Sequence, residues 1–346
     1  MNNRLFLIIA TAACLGSFTA CSQDNDTVVP DGDLKAAISF NVNIGQIPDP
    51  QVTMRGASKD ANTAGYVFRN GDKICVAIKG DGTTSARSTT EEKKLYRVET
   101  ANSDAGSTGS PQDLVYDGTA TDAFIWMSQS EQIALRAWSD GTSGTTTTDP
   151  VGATFTVSTT QNTDADIKEL LYSPGPVSPA TTNYSYSTNS SSLNIPLYHQ
   201  LARVVVKVTG TIASDVSVSS VTIGSSTTNK IPTSATFAEP VSGNYGSWSN
   251  QGTDGTITAK KEADNVFSAV IIPYDGKQTG ATYYKQNDKF IVITTSRGVY
   301  AYSLASNLKI EPGKQYTFNI TNLNEIKLDV TVTSWTSDTV KSLTLQ

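Results

Sequence analysis

Ile38-Ser39-Phe40-Asn41-Val42-Asn43-Ile44 changes from apolar to polar at every step. A period of two sends successive side chains to opposite faces of an extended chain, so Ile38, Phe40, Val42 and Ile44 share one face. The same alternation returns in Leu328-Asp329-Val330-Thr331-Val332, and again in the terminal Leu343 and Leu345. Arg203-Val204-Val205-Val206-Lys207-Val208 is denser and reads as a buried strand, as does Phe267 to Pro273. Tyr66-Val67-Phe68-Arg69 and Lys73 to Ile78 flank Asn70-Gly71-Asp72, a hairpin-type turn. Phe290 to Thr294 and Val299 to Leu304 flank Ser296-Arg297-Gly298 in the same way, and Tyr316 to Ile320 follows the Pro312-Gly313 turn. The best helical candidate is the short stretch Asp164 to Leu171.

Charged residues make up only 17% of the 346-residue chain, while Ser, Thr, Gly and Asn are abundant. That balance suits strands joined by polar turns and is poor for helices. Short strands separated by Gly, Asn and Asp turns predict an all-β protein, and the length is enough for two β-sandwich domains in tandem. Ser139 to Gly152 is rich in Thr and Gly and reads as an exposed loop. Ser173 to Ser192 has no apolar period and reads as the link. The expected divisions are residues 1–20, 21–36, 37–185 and 186–346. A formal charge of -6 without any basic stripe disfavours a nucleic-acid partner.

The N-terminus carries a different signal. Arg4 is followed by an apolar run from Leu5 to Leu15 and by small residues up to Cys21. The run is far shorter than the roughly 20 residues that cross a bilayer, so residues 1–20 are expected to be a cleaved signal peptide. Phe18-Thr19-Ala20-Cys21 resembles a bacterial lipobox, which makes Cys21 the expected lipidation site and residues 21–36 a polar tether to an outer membrane. Cys14 lies in the signal, so Cys75 is the only cysteine left to the body. It has no disulfide or metal partner and reads as a small core residue in Ile74-Cys75-Val76-Ala77-Ile78.

Catalytic patterns do not emerge. His199 is the only histidine, and no His, Cys or carboxylate cluster adjoins it in sequence. No nucleophile elbow, phosphate-binding loop or dinucleotide fingerprint occurs. No enzyme, metal or cofactor is expected. Trp126, Trp138, Trp248 and Trp335 are the possible platforms for a sugar ring, and Trp248, beside Tyr245 and glycines, is the one that reads as loop-borne.

Taken in order, the strand motifs resemble those of the fimbrillin family, the lipoprotein-derived type V pilins and their relatives. The resemblance is carried by Ile38-Ser39-Phe40 with Thr53-Met54-Arg55-Gly56-Ala57, by Asn70-Gly71-Asp72-Lys73-Ile74, and by Ala165 to Tyr172. It continues through Leu197-Tyr198-His199-Gln200-Leu201-Ala202-Arg203-Val204, Ala269 to Pro273, and Pro312 to Ile320. It implies two transthyretin-like β-sandwich domains and assembly by strand exchange into a surface fimbria that serves adhesion. It implies partners of four kinds: other copies or related pilins, an Arg-specific protease cutting between Arg55 and Gly56, an outer membrane reached through the lipid anchor, and a host glycan or protein receptor. Leu328, Val330, Val332, Val340, Leu343 and Leu345 would form the donor strand of a stalk subunit. The alternative is a surface lipoprotein that binds glycan and never polymerises.

Overall fold

The computed structural model describes residues 35–44, 58–59, 66–68, 70–83, 87–99, 112–141, 144–174, 184–189, 192–208, 216–224, 231–273, 284, 286–321 and 328–334. Strands dominate, and the protein is all-β. The largest sheet has eight strands. Their order is Leu171–Ser173, Leu193–His199, Phe40–Ile44, Gln112–Tyr116, Glu92–Val98, Lys73–Gly80, Gln132–Ser139 and Tyr184–Ser185. Leu171–Ser173 also pairs with Gln132–Ser139, so the ladder closes on itself. The side chains turned inward include Phe40, Val42, Ile74, Val76, Tyr96, Ile133, Ile195 and Leu197, all buried.

Ile74 to Ile78 is apolar without interruption because both of its faces are covered. Ile74, Val76 and Ile78 point into the ring. Cys75 and Ala77, with Trp138 and Tyr172, instead join the apolar cluster of the second body. Burial pushes the Cys75 thiol up to about 12, which fits a small core side chain rather than a nucleophile.

The second body packs a five-stranded sheet against a four-stranded one. The first runs Lys260–Ala263, Val266–Ile271, Ala202–Val208, Lys314–Ile320, Leu328–Ser334. The second runs Ile257–Thr258, Val218–Ile223, Lys289–Thr295, Gly298–Ser303. Val204, Val206, Phe267, Phe318, Val221, Ile291 and Ile293 fill the space between them. The hairpin expected at Ser296-Arg297 is present, with Thr295 opposite Gly298.

The two bodies exchange strands. Thr154–Thr156 from the first half of the chain pairs with Ile231–Ala238, which pairs in turn with Ser247–Gly255. Leu193–His199, expected with residues 186–346, is hydrogen-bonded inside the first sheet. Gln161 secures the crossing. Its side-chain amide donates to Val270 O and accepts from Val270 N, both at 2.8 Å, so it copies a neighbouring strand where Lys260–Ala263 has ended.

Two local expectations change. Asp164 to Leu171 is no helix: a 3-10 turn covers Asp164–Asp166, and Leu171 enters a sheet. So short a helix is marginal without tertiary support, and here the tertiary partners are strands. Asn70-Gly71 is a turn with Gly71 at φ 90°, but Tyr66–Val67 pairs with Ser58–Lys59 and not with Lys73–Gly80.

Candidate assembly groove

The first long strand among the described residues sits in the interior of its sheet. Phe40–Ile44 runs antiparallel to Gln112–Tyr116 on one side and parallel to Leu193–His199 on the other. Ile38 N donates to Phe124 O and Leu193 N donates to Ser39 O, each at 2.9 Å. Phe40 is 1% exposed and meets Tyr96 edge-on at 5.0 Å between ring centroids, with Phe124 at 6.4 Å. Tyr96 is fixed in turn by the Phe124 N–H, which donates to its hydroxyl at 3.0 Å.

Pro196 would be out of place in a strand with neighbours on both sides, since it brings no N–H. The direction of the Leu193 N–H resolves this. Backbone donors alternate along a strand, so the N–H groups of Leu193, Ile195 and Leu197 face Phe40–Ile44. The missing donor of Pro196 faces the other way, past the end of the short Leu171–Ser173 pairing, which reaches only Tyr198 and His199. The edge turned toward Phe40–Ile44 therefore keeps its full set of donors.

Beyond this strand the chain turns into the second body through Gln200, which is fully buried. Its backbone N–H donates to Leu170 O at 2.8 Å, and its carbonyl accepts from Trp248 Nε1 at 2.8 Å. Its side chain donates to Tyr198 O and Asn244 O at 3.0 Å and accepts from Gly246 N at 2.8 Å. Gly246 must be glycine for this approach, because a Cβ there would lie 2.2 Å from Ala238 O. The reading of Leu197 to Val204 did not single out Gln200. Its signal was a lone amide between His199 and the apolar pair Leu201-Ala202.

His199 stands at the end of its strand, as expected, but a carboxylate does adjoin it. Its Nδ1 lies 3.1 Å from Glu169 Oε1, with both side chains buried. Trp248 is also corrected. It lies on the Ser247–Gly255 strand, is 6% exposed and packs on Phe237 and Phe155, so it offers no ring to a sugar. Trp126 and Trp138 are buried as well. Among the described residues no group of three or more His, Cys, Asp or Glu side chains could hold a metal ion.

Cys21, Arg55, Gly56, Val340, Leu343, Leu345 and Trp335 lie outside the described residues. Leu328, Val330 and Val332 lie on Leu328–Ser334, which pairs along its whole length with Lys314–Ile320 at the end of the five-stranded order. Val332 is 40% exposed. Two other arginines that a protease could choose are engaged. Arg87 Nε reaches Glu131 Oε1 at 2.8 Å with 8% of its side chain exposed, and Arg97 is inside the Glu92–Val98 strand, paired on both sides.

Two interleaved β bodies, the first a closed ladder with Phe40–Ile44 in its interior, are held together by strand pairing. The chain belongs to the fimbrillin-like family, whose profile matches residues 58–335. The family is a structural, fimbrial one rather than an enzymatic one. A candidate cell adhesion protein from Bacteroides ovatus shares the fold at 16% identity and a TM-score of 0.55, over 88% of this chain and 99% of that one. A fimbrial assembly protein from Parabacteroides distasonis matches at 11% identity and a TM-score of 0.44, over 87% and 98%. The tip fimbrial protein Mfa3 from Porphyromonas gingivalis matches at 10% and 0.43, over 86% and 100%. Among curated proteins no match is found.

Proposed function

We propose that the chain is a stalk subunit, exported as a lipoprotein acylated at Cys21, cleaved after Arg55 and polymerised by strand exchange. The observation that carries this reading is the interior position of Phe40–Ile44. Cleavage at Arg55 would free everything before Gly56, including this strand. Its departure would leave two facing backbone edges about 10 Å apart, twice the spacing of neighbouring strands. Leu114, Leu193, Ile195 and Leu197 would line the slot, all buried while the strand is present. Unpaired edges over apolar side chains are a template for an incoming strand, which gains main-chain hydrogen bonds and side-chain pockets together. The C-terminal segment is the proposed donor. Leu328–Ser334 is a terminal strand of its own sheet order, so it can leave without breaking an interior ladder.

Digestion of the mature protein with an Arg-specific protease should give a chain starting at Gly56, and electron microscopy should then show filaments. Deleting residues 328–346, the whole proposed donor segment, should leave a folded monomer that stays single after the same cleavage. Filaments from the truncated chain would place the donor elsewhere, and first cleavage at Arg87 or Arg97 would refute the assignment of Arg55.

The outer-membrane anchor has its own test. Protein extracted from membranes should begin at Cys21 and carry the added mass of acyl chains. A start at another residue with no such mass would remove the anchor. The non-polymerising glycan binder is less supported as a whole-protein role, since the aromatic platform assigned to Trp248 is buried.

A further inference from the structure

A cleft of about 470 Å³ opens on the wall of the first body, beside the loop after Ile231–Ala238. Such a volume lies within the usual range for a small-molecule site. Arg136 stands at its base. Its Nε and Nη2 donate to the two oxygens of Glu91 at 2.6 Å each. Its Nη1 donates to Asp149 Oδ1 at 3.0 Å and to the Tyr172 hydroxyl at 3.2 Å, and its Nη2 also donates to Asp149 Oδ2. The Tyr172 hydroxyl passes its own proton donor to Glu239 Oε2 at 3.0 Å.

This arrangement uses all five N–H groups of the guanidinium. Arg136 is therefore no receptor for a phosphate or carboxylate ligand; it is a clamp that fixes two carboxylates. Glu91 and Asp149 keep 22% and 27% of their side chains exposed, with acceptor lone pairs left over. Lys93 already supplies an ammonium group 3.3 Å from Asp149 and 3.8 Å from Glu91. With Lys93 counted, the positive charges of Lys79, Lys93 and Arg136 balance the negative charges of Glu91, Asp149 and Glu239. No net charge remains to attract an ion of either sign. What remains is a set of rigid acceptors at the base, the donors of Lys79 and Thr89 at the lip, and apolar surface from Val151, Pro174 and Pro240.

We propose that this cleft binds a neutral sugar residue, whose hydroxyls donate to the Glu91 and Asp149 carboxylates and accept from Lys79, while a ring face lies against the prolines. Fixed carboxylates suit hydroxyl donors, and an orientation set in advance spares the ordering cost of binding. The inference does not rest on strand exchange: it applies equally to a single subunit and to one inside a fibre.

The test is saturation-transfer NMR on the mature full chain with glucose, galactose, mannose and N-acetylglucosamine. N-acetylneuraminate and N-acetyl-lysinamide serve as the anionic and cationic controls. At least one neutral sugar should receive saturation at millimolar concentration. Replacing Thr89→Val together with Lys79→Ala, both exposed at the lip, should weaken it about tenfold or more, the size of one or two lost hydrogen bonds. The thermal midpoint of this variant should stay unchanged. Glu91→Gln should abolish the signal. The proposal is overturned if no neutral sugar binds, if either charged control binds better, or if the lip variant binds as the native chain does.

Discussion

Truncating Phe40→Ala should destabilise the uncleaved chain by about 3–5 kcal/mol and leave the cleaved chain unchanged. The first half follows from packing. Phe40 is 1% exposed, between Tyr96 and Phe124, on a strand with neighbours on both sides. Its removal leaves a cavity that those neighbours, fixed in sheet ladders, are poorly able to fill. The second half follows from the proposed processing, because Phe40 would leave with the segment before Gly56. Urea unfolding of both forms measures the difference. An equal loss in both would mean that the strand stays in place after cleavage and that no slot opens. No loss in either would mean that the Phe40 contacts are not those described.

Replacing Arg136→Met should also lower stability by about 3–5 kcal/mol, the usual result of removing one partner from a largely buried ion pair. Two carboxylates and a tyrosine hydroxyl would lose their donor at once. Arg136→Lys should recover little, since an ammonium group cannot span Glu91 and Asp149 with a planar fork. The pH dependence separates this from a simple packing loss. Burial by itself would raise the Asp149 carboxyl, but hydrogen bonds from Arg136, Val151 N and Lys93 outweigh it and hold the group below the ordinary carboxylate range. A depressed folded value means that Asp149 stabilises the native chain above about pH 4 and loses that effect as the pH falls further. Without Arg136 the balance at Asp149 moves toward burial, and protonation of Asp149 would relieve its repulsion with the neighbouring carboxylate. The gap between variant and native chain should therefore narrow as the pH falls from 7 to 4. A gap that stays constant would assign the loss to packing alone.

What was legible in the sequence was local. The alternation of Ile38 to Ile44, the density of Val204 to Val208 and the glycine turn before Val299 each became strands or hairpins, because a two-residue period needs no distant partner to be read. The site features were not local. Arg136 meets Glu91 across 45 residues and Asp149 across 13, so carboxylates that look scattered along the chain converge only after strands pair. Glu169 reaches His199 the same way, once Leu171 is set opposite His199. Trp248 misled because glycines and serines around it suggest a loop, yet those small residues let its strand lie close against Phe237. Gly246 is the nearest of them, packed against Ala238 O and the Phe237 ring.

Only Gln200 and Leu201 separate the strand that would line the proposed slot from the central strand of the second body. A pull on a subunit through that proposed slot would therefore pass between the bodies through two residues of backbone, with no slack loop to reel out first. Strands dragged lengthwise past their neighbours must break many rungs together, whereas strands peeled sideways break them one by one. Leu193–His199 and Ala202–Val208 are each flanked on both sides, and both are placed to carry load lengthwise. Gln200, tied to both bodies, is the rivet at the point where that load changes hands.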